Sequence, residues 1–423
     1  MHPSLLYPRN PTAFAHEREL AACFASAVTH SLPIVLWRPP ACSASQAIVD
    51  LSGAAQPAAV DFHLQEPRFV FSPFLSDDRH PTLCIRADLH LTAAGLTARR
   101  ELWNGQRRQW EEFLATYQAR RASATHTQPA WYGPSDRSPS HCSTYVEYCD
   151  LVRRAIDFIE ASGLEKVVVS RTAEVALPAG FDPVTIFQRL CWRYPDAFVS
   201  LVALPGVGTW IGASPELLLN VDQHSLSTMA LAGTQARPAG LSLSALRWSP
   251  KELAEQALVS AYIRQFFKQA GVAALQETGP ETVAAGNVAH LQSSFHVKLP
   301  RNQRMALANR VLHELHPTSA VCGMPKDKAL AFILQQECYD RSFYSGYLGP
   351  LHIDGQSSLY VNLRCMQLRQ TTANLYVGGG VTDDSQPEAE WRETELKAET
   401  LLAALRPQVD CLASLPAALP LAL

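Results

Sequence analysis

The stretch from Leu375 to Lys397, LYVGGGVTDDSQPEAEWRETELK, constrains this chain more than any other. Three consecutive glycines, Gly378, Gly379 and Gly380, end a strand-like run. Glycine there lets a backbone come very close to a ligand, or take φ > 0. A polar loop follows from Thr382 to Pro387, and a helical pattern starts near Glu388. In it Glu390, Glu393 and Lys397 are spaced i, i+3, i+7 and fall within one narrow arc. Trp391, Ala398, Leu402 and Leu405 form an apolar stripe beside that arc. A charged arc next to an apolar one fits a solvated helix face. It fits equally a carboxylate face that looks onto the glycine turn and holds a metal. Spacing alone leaves both open.

The length of 423 residues suits two or three domains, or one large one. Hydrophobic residues at 47% supply a sizeable core, and charged residues at 18% fall below the usual quarter or so. A net charge of −3 gives no footprint for nucleic acid or for an anionic membrane. The ten cysteines show no CxxC pairs and no zinc spacing, and read as free thiols in a reducing compartment. MHPSLLYPRN lacks a basic stretch followed by an apolar core. The apolar run Ala21 to Val28 is too short to span a bilayer. A soluble cytoplasmic protein is expected, with residues 406–423 as a surface tail.

Residues 1–121 read as mixed helix and strand: a helix from His16 to His30, strands in PIVLWRP and RFVFSPF, and a polar helix from Leu102 to Arg121. Residues 122–143 are rich in Ser, Thr and Pro and read as an irregular linker. A helix from Thr144 to Ser162 would bury Cys149, Val152, Ile156 and Ile159 and stop at Gly163. Lys166 then opens the β-branched run VVVS; taken alone, such a lysine is a solvated strand end. Phe198 to Ala203 and Thr209 to Gly212 look like two strands turning at Pro205-Gly206. Glu216 enters the apolar strand LLLNV. Burial there would raise its pKa and suit a general acid, whereas an exposed strand start would not. Ala232-Gly233-Thr234 reads as a tight turn whose backbone can face a small anion. Ser249, Pro250 and Glu252 start a helix, with Ser249 as N-cap and Glu252 completing a capping box. Glu255 lies one turn further, and the acidic pair is favoured by the helix dipole in any case. Arg364 in VNLRC has the planar fork that suits a carboxylate ligand, or a surface ion pair.

The run GGGVTDDSQPEAEWRETELK closely resembles the C-terminal signature of chorismate-utilising enzymes. That superfamily includes isochorismate, salicylate, anthranilate and aminodeoxychorismate synthases. Further stretches agree in the same order: EKVVVSR (165–171), GASPELLL (212–219), LAGT (231–234), SPKELAEQALV (249–259), LHPTSAVCGMPK (315–326), DRSFYSGYLG (340–349) and VNLRC (361–365). Together they span roughly residues 144–405, the expected chorismate-binding catalytic region. Each motif is weak alone; in series they are specific.

The resemblance implies one large α/β (α+β) unit of stacked antiparallel sheets flanked by helices, with the active site in a central cleft. It implies chorismate as substrate and Mg²⁺ as cofactor, held by Glu255 and Glu393 and not by Glu252. Lys166 would be the base that activates water, and Glu216 the acid that protonates the leaving hydroxyl. Gly233, Thr234, Ala320, Tyr344, Arg364, Gly378 and Lys397 would bind substrate, with Thr318 and Gly323 close to its ring. Amine-transferring members lack the lysine of K-V-V-x-S-R. Lys166 therefore argues for water as nucleophile, hence for an isochorismate synthase acting as a monomer without a glutaminase subunit. The product would feed menaquinone, siderophore or salicylate synthesis. A salicylate synthase, with the same site plus pyruvate elimination, is the nearest rival; it tends to carry threonine where this chain has Ala320. A catalytically silent metabolite-binding relative is opposed by intact Lys166, Glu216, Glu255 and Glu393. Four positions depart from the common pattern: Gln256 replaces His or Asn, Gln235 replaces Arg, Ser319 replaces Pro and Gly379 replaces Ala. None is a proposed acid, base or metal ligand.

Overall fold

Strands such as Phe198–Leu204 and Gly208–Ser214 are buried along their whole length. A strand covered on one side only would alternate buried and exposed positions, so these must be sandwiched. The computed structural model describes residues 11–99, 106–123, 130–134, 142–237, 241–286 and 288–406. Among them are two large antiparallel sheets. The first runs Gly323–Met324, Lys166–Ala176, Thr372–Val381, Cys365–Leu368, Gly208–Ser214, Phe198–Leu204, Ile34–Arg38, Gln46–Val49, Leu89–Thr92, Gly95–Ala98. The second runs Gln276–Ala285, Val288–Lys298, Ser225–Ala236, Leu217–Val221, Ser357–Val361, Tyr347–Leu351, Arg68–Ser72, Leu83–Arg86, Gln56–Pro57.

The sheets face each other across an aromatic layer. Trp37, Phe198 and Trp210 of the first sheet cluster with Phe69, Phe71 and Tyr360 of the second. Phe198 stacks on Tyr360 at 4.2 Å between ring centres. Leu20, Phe187 and Leu401, from the helices Pro11–Thr29, Pro183–Arg193 and Pro387–Leu405, cover the other face of the first sheet. Phe267 and Ala308, from Pro250–Gln269 and Arg301–Leu315, cover that of the second. The result is helix, sheet, sheet, helix, the stacked arrangement expected from the sequence.

Local signals hold with shifted ends. The first helix is Pro11–Thr29, and the polar helix is Arg107–Ala122; Leu102 and Trp103 lie outside the described residues. The helix Tyr145–Ser162 has Thr144 as N-cap with a capping box to Glu147, and stops at left-handed Gly163. Its buried stripe runs through Tyr148, Val152, Ala155 and Ile159, with Ile156 only half-buried. Where described, the irregular linker is pinned to the core: Trp131 Nε1 donates to Arg369 O at 3.0 Å, and Tyr132 OH to Leu32 O at 2.9 Å. Residues 407–423 lie outside the described residues. No described helix is long and apolar enough to cross a membrane.

Phe198 sits at the centre of the aromatic layer, 1% exposed. Phe198→Ala should cost about 3–5 kcal/mol, as large-to-small core changes do. Urea unfolding followed by tryptophan fluorescence measures it; an unchanged midpoint would mean that the inter-sheet layer does not hold the fold.

Candidate active site

The three glycines close the strand Thr372–Val381 but for its last residue, as expected, and none takes positive φ. Gly378, Gly379 and Gly380 pair with Ser170, Val169 and Val168 of the Lys166–Ala176 strand. What they provide is close approach. A methyl carbon built at Gly378 would lie 2.7 Å from Val169 O and 2.9 Å from Tyr344 OH. One built at Gly380 would lie 2.6 Å from Lys166 Cε and 2.9 Å from Glu255 Oε1.

Lys166 begins its strand and is 2% exposed, so it is no solvated strand end. Its Nζ donates to Glu255 Oε1 at 2.6 Å. Glu255 comes from the helix Pro250–Gln269, whose start is set by the Ser249 N-cap and its capping box with Glu252. Burial opposes ionisation of Glu255, but the adjacent Lys166 ammonium outweighs it and holds the carboxyl below its usual value. Glu216 lies between the strands Gly208–Ser214 and Leu217–Val221 and is 4% exposed. Burial pushes its pKa up to about 7, with Lys166, Thr318 and Lys397 only partly offsetting this. Thr318 Oγ1 donates to its Oε1 at 3.4 Å.

The acidic arc of the helix Pro387–Leu405 turns inward. Lys397 Nζ bridges Glu393 Oε1 and Gly378 O, each at 2.7 Å. Glu390 is buried, and burial followed by repulsion from Glu393 raises its pKa. The buried stripe therefore mixes Glu390 and Thr394 with Ala398, Leu401 and Leu405, while Trp391 and Leu402 are half-buried.

Ala232-Gly233-Thr234 is not a turn. It is a bulge within the strand Ser225–Ala236, where the register with Val288–Lys298 shifts between Ala232 and Gln235 and Gly233 takes φ 68°. A bulge re-aims the groups around it. Here Gly233 O accepts from His290 Nδ1 at 2.8 Å. That bond places the ring proton on Nδ1, so Nε2 accepts from Arg364 Nη2 at 3.2 Å. Burial, then Arg364, lowers the His290 pKa to about 3, so the imidazole is neutral. Arg364 Nη1 donates to Thr400 Oγ1 at 3.0 Å, and among the described residues the guanidinium makes no salt bridge. His290 carries no motif of its own, and only the bulge opposite it reveals its role.

Lys166, Glu216, Glu255, Glu393 and the expected substrate residues Gly233, Thr234, Ala320, Tyr344, Arg364, Gly378 and Lys397 all line one cavity of about 80 Å³. A second cavity, of about 630 Å³, meets it at Pro215 and Arg364. Ala320 and Tyr344 form part of the wall, and Thr318 touches it through Glu216. Gly323 is a correction: it pairs with Val167 and does not line the cavity, and a side chain there would strike Lys166 O. A buried ion pair that the motifs did not reveal supports this wall. Arg341 Nη2 bonds Glu337 Oε1 at 2.6 Å and Val168 O at 2.7 Å, and its Nη1 bonds Val321 O at 2.9 Å. Glu337 Oε1 also accepts from Ser170 N at 2.8 Å.

The family described as chorismate binding enzyme matches residues 86–406. The chain belongs to that family. Isochorismate synthase EntC of Escherichia coli is 31% identical over 257 residues, which are 60% of this chain and 65% of EntC. Isochorismate synthase MenF of the same organism is 30% identical over 274 residues, 63% of this chain and 62% of MenF. The match thus spans somewhat less than two thirds of these relatives. Among solved structures, the menaquinone-specific isochorismate synthase MenF from Escherichia coli superposes with a TM-score of 0.69, 22% identity and 91% of each chain covered. Anthranilate synthase component I from Streptococcus pneumoniae superposes at 0.60, with 18% identity, covering 87% of this chain and 90% of the other. The fold is therefore shared by proteins named as an isochorismate synthase and as an anthranilate synthase component, and the reaction has to be argued from the side chains.

Glu337→Gln should destabilise this family member by about 3–5 kcal/mol, because it leaves Arg341 buried without its counter-charge. Removing both with Glu337→Gln and Arg341→Met should recover part of that loss. Urea midpoints of the single and double variants measure it; a single variant as stable as the parent would remove the pair from the supporting wall.

Proposed function

We propose that this chain isomerises chorismate to isochorismate. The observation that carries the reading is the pair Lys166 and Glu216, two proton-transfer groups on one small cavity. Glu216 is an acid with a pKa near neutral because it is buried. Lys166 is buried at the mouth of its strand, against the glycine backbone. Water adds to the ring, and Lys166, in its neutral amine form, takes its proton. The double bonds shift, the ring hydroxyl leaves, and Glu216 gives it a proton so that it departs as water. One water enters and one leaves, so the net change is an isomerisation. Arg364 and Lys397 position the substrate carboxylates, and the Arg364 fork is oriented for this by neutral His290 and Thr400. Gly233, Thr234, Tyr344 and Gly378 complete the substrate wall.

Glu255 and Glu393 would hold Mg²⁺. The donor set fits a hard cation: two carboxylates line the same cavity. Two carboxylates completed by water and substrate oxygens suit Mg²⁺ rather than zinc. When bound, the cation neutralises the ring carboxylate. Glu252 is occupied by its helix cap, accepting from Ser249 N at 2.7 Å. The enzyme would act as a monomer, with no glutaminase subunit, since Lys166 serves water and not an amine. Cys23, Cys84, Cys149, Cys322 and Cys365 are buried free thiols, which suits the cytoplasm. The product would feed menaquinone, siderophore or salicylate synthesis.

Ala320 separates this reaction from salicylate formation, because its methyl group offers no hydrogen bond to hold the enolpyruvyl side chain for elimination. Incubation with chorismate and Mg²⁺, followed by chromatography, should show isochorismate with negligible salicylate, and EDTA should stop it. Stoichiometric salicylate and pyruvate would favour the salicylate synthase reading instead, and full turnover under chelation would remove the metal.

Lys166→Ala and Glu216→Gln should each lower turnover by about 10²–10⁴-fold with unchanged circular dichroism. Because the acid must carry its proton, the parent rate should fall as pH rises through about 7. A rate that stays flat from pH 6 to 9 would take the acid role away from Glu216.

A further inference from the structure

Tyr148 buries a hydroxyl that bonds to nothing. The residue is 1% exposed, and its OH has no hydrogen-bond partner among the described residues. The ring itself is held by packing, on the stripe of the Tyr145–Ser162 helix and against Trp391 at 5.9 Å. A phenyl group would pack as well without burying an unsatisfied donor, which costs stability. The hydroxyl therefore calls for a partner that the described residues do not supply.

Its direction identifies that partner. A methyl carbon built at Gly379 would have Glu390 Oε2 at 3.1 Å, Tyr148 OH at 3.6 Å and Glu393 Oε1 at 3.8 Å. Three oxygens converge on one point of bare backbone. Side chains alternate along a strand, so this point lies on the face opposite to that of Gly378 and Gly380. Glu390 Oε1 is already engaged by Ser385 Oγ at 2.8 Å and Lys251 Nζ at 3.2 Å, whereas no described residue bonds Oε2. A donor and a carboxylate oxygen thus meet beside Glu393 without a direct bond between them. Buried groups arranged in this way are satisfied by a shared water.

We propose that Tyr148 is a positioning residue for the cation: its hydroxyl donates to a water of the Mg²⁺ shell on the Gly379 side of Glu393, and Glu390 Oε2 accepts from the same water. This rests on the metal reading of Glu255 and Glu393 and adds to it the residue that orients the shell from behind. Such outer partners typically change metal affinity by about 10–100-fold.

The test titrates Mn²⁺ into the full chain, following free Mn²⁺ by electron paramagnetic resonance, and records thermal unfolding with and without Mg²⁺. Tyr148→Phe should weaken Mn²⁺ binding by roughly tenfold and shrink the Mg²⁺-induced rise in unfolding temperature. Without metal it should unfold at the same temperature as the parent or higher, since an unsatisfied donor has been removed. Glu393→Gln should lose Mn²⁺ binding. Unchanged Mn²⁺ affinity in Tyr148→Phe, with the parent binding normally, overturns the proposal and leaves the metal reading intact. A lower unfolding temperature without metal makes the hydroxyl a structural group and also overturns it. A parent chain that binds no Mn²⁺ overturns both.

Discussion

The structure depends on one close approach, the backbone of Gly380 passing beneath the Lys166–Glu255 ion pair. A lysine that is 2% exposed needs its counter-charge at hand, because an uncompensated buried charge is costly. Glu255 supplies it at 2.6 Å, from a helix packed on the other sheet. The pair is thus a bolt between the two halves of the sandwich. It fits only because the facing strand carries no side chain, with just 2.6 Å between a built methyl carbon and Lys166 Cε. The capping box at Ser249 sets where the helix begins, and so how far Glu255 reaches.

Around that bolt the charges are arranged for an anion. Lys397 and Arg364 approach the same cavity from a helix flank and a strand end, and Arg364 makes no salt bridge among the described residues. Its neighbour His290 is kept neutral by burial and so accepts from the guanidinium rather than repelling it. Glu216, the remaining carboxyl, is pushed towards its neutral form by the same dryness that strengthens the cations. Burial thus raises the Glu216 pKa while Arg364 faces the cavity without a salt bridge among the described residues.

The departures from the common family pattern settle into supporting places. Gln256 is buried, and its Nε2 donates to Ala230 O at 3.2 Å and Ser293 Oγ at 3.1 Å, tying the Glu255 helix to two strands of its sheet. Gln235 stands opposite Ala289 just past the bulge. Gly379 is where Glu390, Glu393 and Tyr148 converge, so the bare backbone there makes room for oxygens that a β-carbon would crowd. Nothing in the structure explains Ser319, whose buried Oγ has no partner among the described residues.

Local chemistry was legible in the sequence by itself. The capping box at Ser249 and the left-handed stop at Gly163 are decided by residues within a few positions of one another. The order of motifs marked the residues that line the cavity, and the family resemblance they carry implied the stacked sheets. Other features were decided by partners far along the chain. The glycines stand at the end of a strand as the sequence suggested, but that the Lys166 strand pairs with them through Val381 had no local signal. The Ala232-Gly233-Thr234 bulge looked like a turn, since only the partner strand shows the register shift. His290, the Glu337–Arg341 pair and the inward face of Glu390 carry no local signal. Spacing says which residues share a face, but what that face meets is set by packing between elements up to hundreds of residues apart. That is why Glu390 could read as solvated on its helix and yet lie buried against the strand that ends in Val381.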